Sequence, residues 1–184
     1  ADSVALLTIL KRLSAAMGFS VCAAHLNHMI RGESADNDQR FVEELCEFYG
    51  VPLTLERVDI PGIAKAQGQT LETAGRLVRY EFLERARKRC GARAVAVAHH
   101  MDDQAESVLL HLTRGSGLSG LCGMQVRRDN IIRPMLFVRR SEIEDFLNTE
   151  GIAYCVDATN FETGGTRNRI RLDVMPYIQS HINS

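Results

Sequence analysis

The sequence predicts an α/β fold: an open, mostly parallel sheet with helices on both faces. Three observations point to it. Short apolar runs of strand length alternate with segments of helical periodicity along the chain, the pattern of βαβ units. The run "ARAVAV" at 92–97 is almost continuous in small apolar residues, as a strand covered on both faces requires. Polar residues collect where such runs end, at 25–28, 99–103 and 157–160, and the carboxyl ends of parallel strands are where these sheets bind ligands.

The elements follow in order. Residues 3–17 set Val4, Leu7, Leu10 and Leu13 at helical spacing, and Gly18 stops that helix. "FSVCAAHLNH" reads as a buried strand ending in His25, Asn27 and His28. The helix over 34–49 turns Phe41, Val42, Leu45, Phe48 and Tyr49 inward and stops at Gly50. A strand over 51–60, a short helix over 61–68 and a long helix over 70–90 come next, with Thr70 and Thr73 as candidate caps and Gly91 as terminator. A strand over 92–100 runs into a helix over 101–114. A glycine-rich connection at 115–124, a strand around 130–136, a helix over 139–150 and a strand over 153–157 complete the pattern, and the tail reads as a loop and a helix. Because a helix comes first, the opening strand of the sheet and the loop after it are expected to be missing from this numbering.

Composition narrows the classes. With 184 residues, 45% hydrophobic and 24% charged, the chain suits one well-packed domain. A net charge of −1 gives no global pull toward nucleic acid or membrane, so any nucleic-acid contact must use a local basic patch. No apolar run approaches the roughly 18 residues of a membrane span, which predicts a soluble, cytoplasmic protein with no membrane partner. The five cysteines, Cys22, Cys46, Cys90, Cys122 and Cys155, form no C-x-x-C pair and are expected as buried free thiols.

The densest chemistry is "AHHMDDQAES". Asp102, Asp103 and Glu106 sit three and four residues apart at the start of a helix, so their carboxylates share one face. Acidic residues there also complement the helix dipole, and simple capping explains any one of them. Three together demand a cation, because like charges at short range raise one another's pKa. Mg²⁺ or a lysine-type amine fits that demand. Zinc does not, since adjacent His99 and His100 on a strand end point to opposite faces. Basic residues fall in three places: Arg76 and Arg79 on one helical face, Arg133 beside a strand, and Arg167, Arg169 and Arg171 in "TRNRIR", a run suited to phosphates of ATP or RNA. Gly115, Gly117, Gly120 and Gly123 match neither a Walker nor a Rossmann loop and read as a flexible gate or a close-packed turn.

These residues carry a resemblance. "ADSVALL" resembles the second half of the PP-loop of N-type ATP pyrophosphatases, Ser-Gly-Gly-x-Asp-Ser, of which Asp2 and Ser3 remain. "HLNHMIRGESADNDQRFVEELCEFYGVPL", "ETAGRLVRYEFL", "AHHMDDQAESVLLHLTRGSGLSGLCGM", "IIRPML" and "DATNFETGGTRNRIRLDVMPYI" are together similar to the catalytic domain of the bacterial tRNA(Ile)-lysidine synthase family. The resemblance implies an adenine-nucleotide α-hydrolase-like fold. It implies a catalytic domain over 1–160 and a basic loop and helix over 161–184 leading toward tRNA-binding domains. It further implies adenylation by ATP of C2 of the wobble cytidine 34 in a tRNA(Ile) with CAU anticodon, then attack by the ε-amine of free L-lysine, releasing AMP and pyrophosphate.

By the same resemblance, Asp2, Arg76, Asp103 and Glu106 are catalytic, and Asp2, Ser3, His25, Asn27 and His99 line the nucleotide. Asp102, Arg133, Arg167, Arg169 and Arg171 meet substrate or tRNA, and Asp2 and Asp103 hold Mg²⁺. A homodimer is compatible with it. Ser107 stands where the family more often has threonine. The rival readings are a PP-loop tRNA thiolase, expected to carry cysteine pairs this chain lacks, an ammonia-using PP-loop synthetase, and a non-catalytic tRNA-binding remnant of the fold.

Overall fold

Helix α1, Asp2–Met17, opens the chain in the computed structural model, which describes residues 1–30, 32–155 and 166–182. Its buried face is Val4, Ala5, Leu6 and Thr8. Leu13, expected inward, is 43% exposed, so burial favours the first two turns over the full apolar stripe. The chain divides into two compact units, Leu7–Val95 and Ala1–Leu6 with Ala96–Ser184.

The unit Leu7–Val95 contains β1 (Ala23–Asn27), α2 (Glu33–Tyr49), β2 (Leu53–Arg57), α3 (Ile60–Gln67) and α4 (Leu71–Arg89). β1 and β2 are parallel, in register from Ala23↔Leu53 to Asn27↔Arg57. A parallel pair needs a crossover, and α2 supplies it. Gly50 ends α2 in the left-handed conformation at φ 59°, where a side chain would be strained. Asp59 caps α3 by accepting the Gly62 N–H at 3.0 Å. Thr70 caps α4 by accepting the Thr73 N–H at 3.2 Å, so of the two candidate threonines one is the cap and the other its donor.

The core of this unit joins Ile60, Ala64 and Ala74, flanked by Val58, Ile63 and Val78. On α2 the inward row is Val42, Cys46 and Tyr49, and the Tyr49 hydroxyl lies 3.0 Å from the fully buried Thr8 hydroxyl. Phe48 is consequently 81% exposed, against the expectation, because a shift of one residue in the buried row rotates it to the outside. The cysteine expectation also changes. Cys46 is buried, but Cys90, Cys122 and Cys155 are exposed. Burial and a hydrogen bond with Cys90 push the Cys22 thiol up to about 11.

The other unit begins within β3 (Val95–Ala96) and carries β4 (Arg127–Arg128) and β5 (Ile131–Ile132), in the order β3-β5-β4. β4 and β5 form an antiparallel hairpin whose turn puts Asp129 at φ 53°, a conformation aspartate tolerates better than most residues. Around them are α5 (Met101–Thr113), α6 (Leu118–Leu121), α7 (Arg140–Thr149), α8 (Thr166–Arg169) and α9 (Met175–His181), the last two joined by a π-helical stretch at Ile170–Val174. Met135, Leu136, Ile143, Leu147, Ile170 and the α1 residues Val4, Ala5 and Leu6 are its buried apolar residues. The strand expected over 92–100 shortens to two residues. Residues 153–155 form no strand, and the rest of that expected strand, with Asp157 and Asn160, lies outside the described residues.

The glycine-rich connection is a close-packed turn. Gln104 of α5 donates to the Met124 carbonyl at 3.1 Å and accepts the Met124 N–H at 2.6 Å, while His111 Nδ1 donates to the Gly120 carbonyl at 2.8 Å. Gly123 sits at φ +64°, and a Cβ there would lie 2.5 Å from Gln104 Nε2. Gly123→Ala is expected to lower stability by roughly 1–2 kcal/mol from the backbone alone, read as a lower urea midpoint. An unchanged midpoint would mean that the turn is free to rearrange.

Candidate functional site

The site is built at the amino end of α5. The chain enters extended, with His100 at φ −123° and ψ −179°, and in extended backbone neighbouring side chains point to opposite sides. His99 therefore turns to Arg133, whose Nε donates to its Nδ1 at 3.1 Å. His100 turns into a group of carboxylates and is 2% exposed. Its Nε2 lies 3.7 Å from Asp2 Oδ2 and 3.4 Å from Asp103 Oδ2, and its Nδ1 lies 3.5 Å from Asp102 Oδ2. Asp103 also accepts the His100 backbone N–H at 3.2 Å, so it secures the start of the helix. Asp102 accepts the Arg140 N–H at 2.9 Å and ties α5 to the first turn of α7.

Three clustered carboxylates demanded a cation, and the chain itself provides two. Glu106, 1% exposed, accepts Arg171 Nε at 2.5 Å, Arg171 Nη2 at 3.1 Å and Arg167 Nε at 3.1 Å. Asp103 Oδ1 lies 3.4 Å from Arg171 Nη2 and 3.9 Å from Arg167 Nη2. Arg167 Nη2 also donates to Ser107 Oγ at 3.2 Å, which in turn donates to the Asp103 carbonyl at 2.8 Å. Burial works against the Arg171 charge, but Glu106, Asp103 and Asp2 outweigh it and hold its pKa above the ordinary arginine value. Arg167 and Arg171 are four apart and share a helical face, while Arg169 points away and is exposed. Of the three arginines expected at substrate, tRNA or the rim of the site, the structure brings Arg167 and Arg171 onto Glu106 and Asp103. Arg133 is 7% exposed and donates to His99 Nδ1 at 3.1 Å and to the Gln125 carbonyl at 2.8 Å.

Beside this cluster is a cavity of about 400 Å³ lined by His100, Asp102, Glu106, Arg140, Glu144, Arg171, Leu172, Met175, Pro176 and Gln179. Its wall combines carboxylates, guanidinium groups and an apolar strip. His100, Arg140 and Glu144 were not singled out as site residues from the sequence. Strand alternation is the signal that separates His100 from His99, and the i, i+4 pair Arg140–Glu144, bonded at 2.9 Å, is visible in "RRSEIE".

His25, Asn27 and Arg76 belong to the unit Leu7–Val95. Asn27 is 2% exposed and fully used. Its Nδ2 donates to Asp36 Oδ1 and Gln39 Oε1, each at 3.1 Å, and its Oδ1 accepts the Met29 N–H at 3.0 Å, holding Met29 at φ 53°. In this structure Asn27 organises the β1–α2 turn. Arg76 is exposed, its guanidinium 5.6 Å from the centroid of the Tyr80 ring. The His28 ring crosses α4 at Gly75, where an added Cβ would meet its Nδ1 at 3.3 Å.

His25 is half-buried, and burial lowers its pKa below 6.5 despite the opposing charges of Asp38 and Glu43. The unfolded chain therefore takes up a proton at higher pH than the folded one. Stability from this group is complete above about pH 6.5 and declines as pH falls from there through the lower folded pKa. Urea unfolding of His25→Gln is expected to show a smaller loss between neutral and mildly acidic pH than the unaltered chain. An equal loss would show that His25 contributes nothing to that slope.

Asp2 Oδ1 and His100 Nδ1 are buried without a hydrogen-bond partner among the described residues. An orphan carboxylate oxygen suits one ligand position of a hard cation, so Asp2 fits the Mg²⁺ that the resemblance implies. Asp103 fits it less well, with one oxygen on the His100 N–H and the other facing Arg171. Ser3 is exposed on the first turn of α1. Among the described residues no helix is long and apolar enough to cross a membrane.

A tRNA(Ile)-lysidine synthase of Clostridium acetobutylicum is 42% identical over 183 residues, which are 99% of this chain and 40% of that protein. A tRNA(Ile)-lysidine synthase of Thermotoga maritima is 41% identical over 178 residues, 97% of this chain and 43% of that protein. The chain thus spans about two fifths of the length of these curated relatives. In backbone it is similar to the U34-tRNA thiolase NcsA from Methanococcus maripaludis, solved with its [4Fe-4S] cluster, with a TM-score of 0.76 at 16% identity, over 99% of this chain and 64% of that one. That likeness shows the fold. The model of the PP-loop domain family matches residues 1–178, and this chain belongs to the PP-loop domain family.

Proposed function

We propose that the chain is the catalytic part of a tRNA(Ile)-lysidine synthase, which adenylates C2 of the wobble cytidine of a CAU-anticodon tRNA(Ile) with ATP and then joins free L-lysine to it through the ε-amine. The observation that carries this reading is the cavity beside His100. Its carboxylates Asp102 and Glu144 suit an ammonium group, its guanidinium groups Arg140 and Arg171 suit a carboxylate, and Leu172, Met175 and Pro176 suit an aliphatic stem between them. A free amino acid with a long basic side chain has that composition. The curated relatives carry the same name.

In this reading the His100 ring separates two tasks. On its Nε2 side, Asp2, with Asp103 beside it, would order the nucleotide phosphates through a bound Mg²⁺ at the amino ends of α1 and α5, where helix dipoles favour anions. Mg²⁺ held through Asp2 would neutralise charge on the departing pyrophosphate. On the Nδ1 side, Asp102 accepts the lysine ammonium and assists its deprotonation. Glu106, saturated by two arginines, acts as the counter-ion that fixes Arg171 at the cavity wall. Exposed Arg169 is the member of its run that meets tRNA phosphate.

The test incubates the full-length protein with ATP, labelled lysine and unmodified tRNA(Ile). Label entering the tRNA is the expected result. Unlabelled tRNA, with pyrophosphate release supported by a sulfur donor or by ammonia, would sink the reading.

A further inference from the structure

None of the five cysteines has a part in the proposed chemistry, and two of them meet. Cys22 and Cys90 both lie in the unit Leu7–Val95, and parallel pairing explains how they come together. The Ala23 N–H donates to the Pro52 carbonyl at 2.8 Å and Ala24 stands opposite Thr54, so the β1–β2 ladder starts beside Cys22. Side chains alternate along a strand, which puts Cys22, Ala24 and Thr54 on one face of the pair. α4 packs against β1, and Cys90, the residue that caps its carboxyl end, brings its Sγ to 4.0 Å from Thr54 Oγ1. The Cys90 thiol is thereby on the face that carries Cys22, and the two thiols are hydrogen-bonded. Cys90 is exposed and Cys22 half-buried. Gly91, at φ 63°, follows at once, and helix ends fray. The backbone of Cys90 therefore has room to bring the sulfurs from contact to bonding distance.

We propose that Cys22 and Cys90 are a peroxide-reactive dithiol, a modification site at which oxidation by a hydroperoxide joins the start of β1 to the end of α4 through a reversible disulfide. The exposed sulfur reacts first. Its thiolate attacks one oxygen of hydrogen peroxide, the O–O bond breaks, and the hydroxide that leaves takes up a proton, giving water and Cys90 sulfenic acid. Cys22 then attacks the Cys90 sulfur, the S–O bond breaks, and the departing hydroxide leaves as water with the Cys22 proton. The two sulfurs give up two electrons between them, which reduce one peroxide to two waters. The surroundings set this order. Burial, and after it the hydrogen bond and the charge of Cys90, hold the Cys22 thiol up at about 11, so Cys22 keeps its proton while Cys90 reacts. Oxidation consumes the Cys90 thiolate and with it both influences that Cys90 exerts, at the step in which Cys22 must become the nucleophile. A thiol already in contact keeps exposed Cys90 from climbing to the irreversible sulfinic acid.

The experiment treats the full-length protein with excess hydrogen peroxide, alkylates the remaining thiols and maps unreduced peptides by mass spectrometry, beside Cys22→Ser and Cys90→Ser. The unaltered protein is expected to yield two peptides joined through Cys22 and Cys90, lighter by two hydrogens than their sum and separated by dithiothreitol. In Cys22→Ser, Cys90 should run on to sulfinic acid, which dithiothreitol does not reverse. In Cys90→Ser, Cys22 should stay reduced. The unaltered protein decides the matter by itself even where a variant folds poorly. Cys90 that stays reduced there, or that reaches sulfinic acid without joining Cys22, would overturn the proposal. So would Cys22 bonded to Cys46 or Cys122, or a Cys22–Cys90 bond found only between two copies of the chain.

Discussion

Glu106→Ala is expected to lower the free energy of unfolding by about 3–5 kcal/mol. The side chain is 2% exposed and receives three arginine hydrogen bonds, two from Arg171 and one from Arg167. Removing it takes away three of the hydrogen bonds that hold the two guanidinium groups, and a partly buried cation stripped of its main partner is far costlier than the pair was favourable. Arg171 responds most, because Glu106 is the largest of the influences that sustain its charge against burial. Glu106→Gln is expected to lose less, since the amide oxygen still accepts one bond. The measurement is urea unfolding at two salt concentrations. A loss below about 1 kcal/mol that disappears in salt would rank this cluster with ordinary surface bridges.

The second large effect separates the two sides of His100. Asp102→Asn is expected to raise the KM for lysine roughly 10–150-fold, the worth of one charge-assisted hydrogen bond of about 1.5–3 kcal/mol, while pyrophosphate release from ATP is little changed. Asparagine keeps an oxygen for the Arg140 N–H, so the start of α7 should hold. Asp103→Asn is expected to do the reverse: it preserves the acceptor for the His100 N–H but removes the charge beside Asp2, and adenylation slows. Steady-state kinetics with each substrate varied, and thermal unfolding of both variants, check the split. An unaltered lysine KM in Asp102→Asn would remove the cavity from the amine's path.

Much of the fold was legible because it rests on local rules. Helix spacing, the Thr70 cap and the Gly50 stop all follow from residues close together in sequence. Burial was less legible. Phe48 and Leu13 satisfy helical periodicity yet are exposed, since periodicity defines a stripe but not which edge of it finds neighbours. The strand expected over 92–100 shortened for a similar reason: its pairing requires a partner far along the chain, and Val97 N–H finds one only in the Ile132 carbonyl.

The sequence by itself determined the family, the carboxylate face at the start of α5, and the need for a cation among Asp102, Asp103 and Glu106, because three like charges at helical spacing are an electrostatic problem wherever they occur. Tertiary structure alone decided which cation answers. Arg167 and Arg171 lie more than sixty residues away in the chain and could have faced solvent or RNA. Their four-residue spacing gives them a common face, but only the packing of α8 and the π-helical stretch against α5 aims that face at Glu106. A charge pair worth several kcal/mol depends on a contact of about 3 Å, and the fold sets that distance.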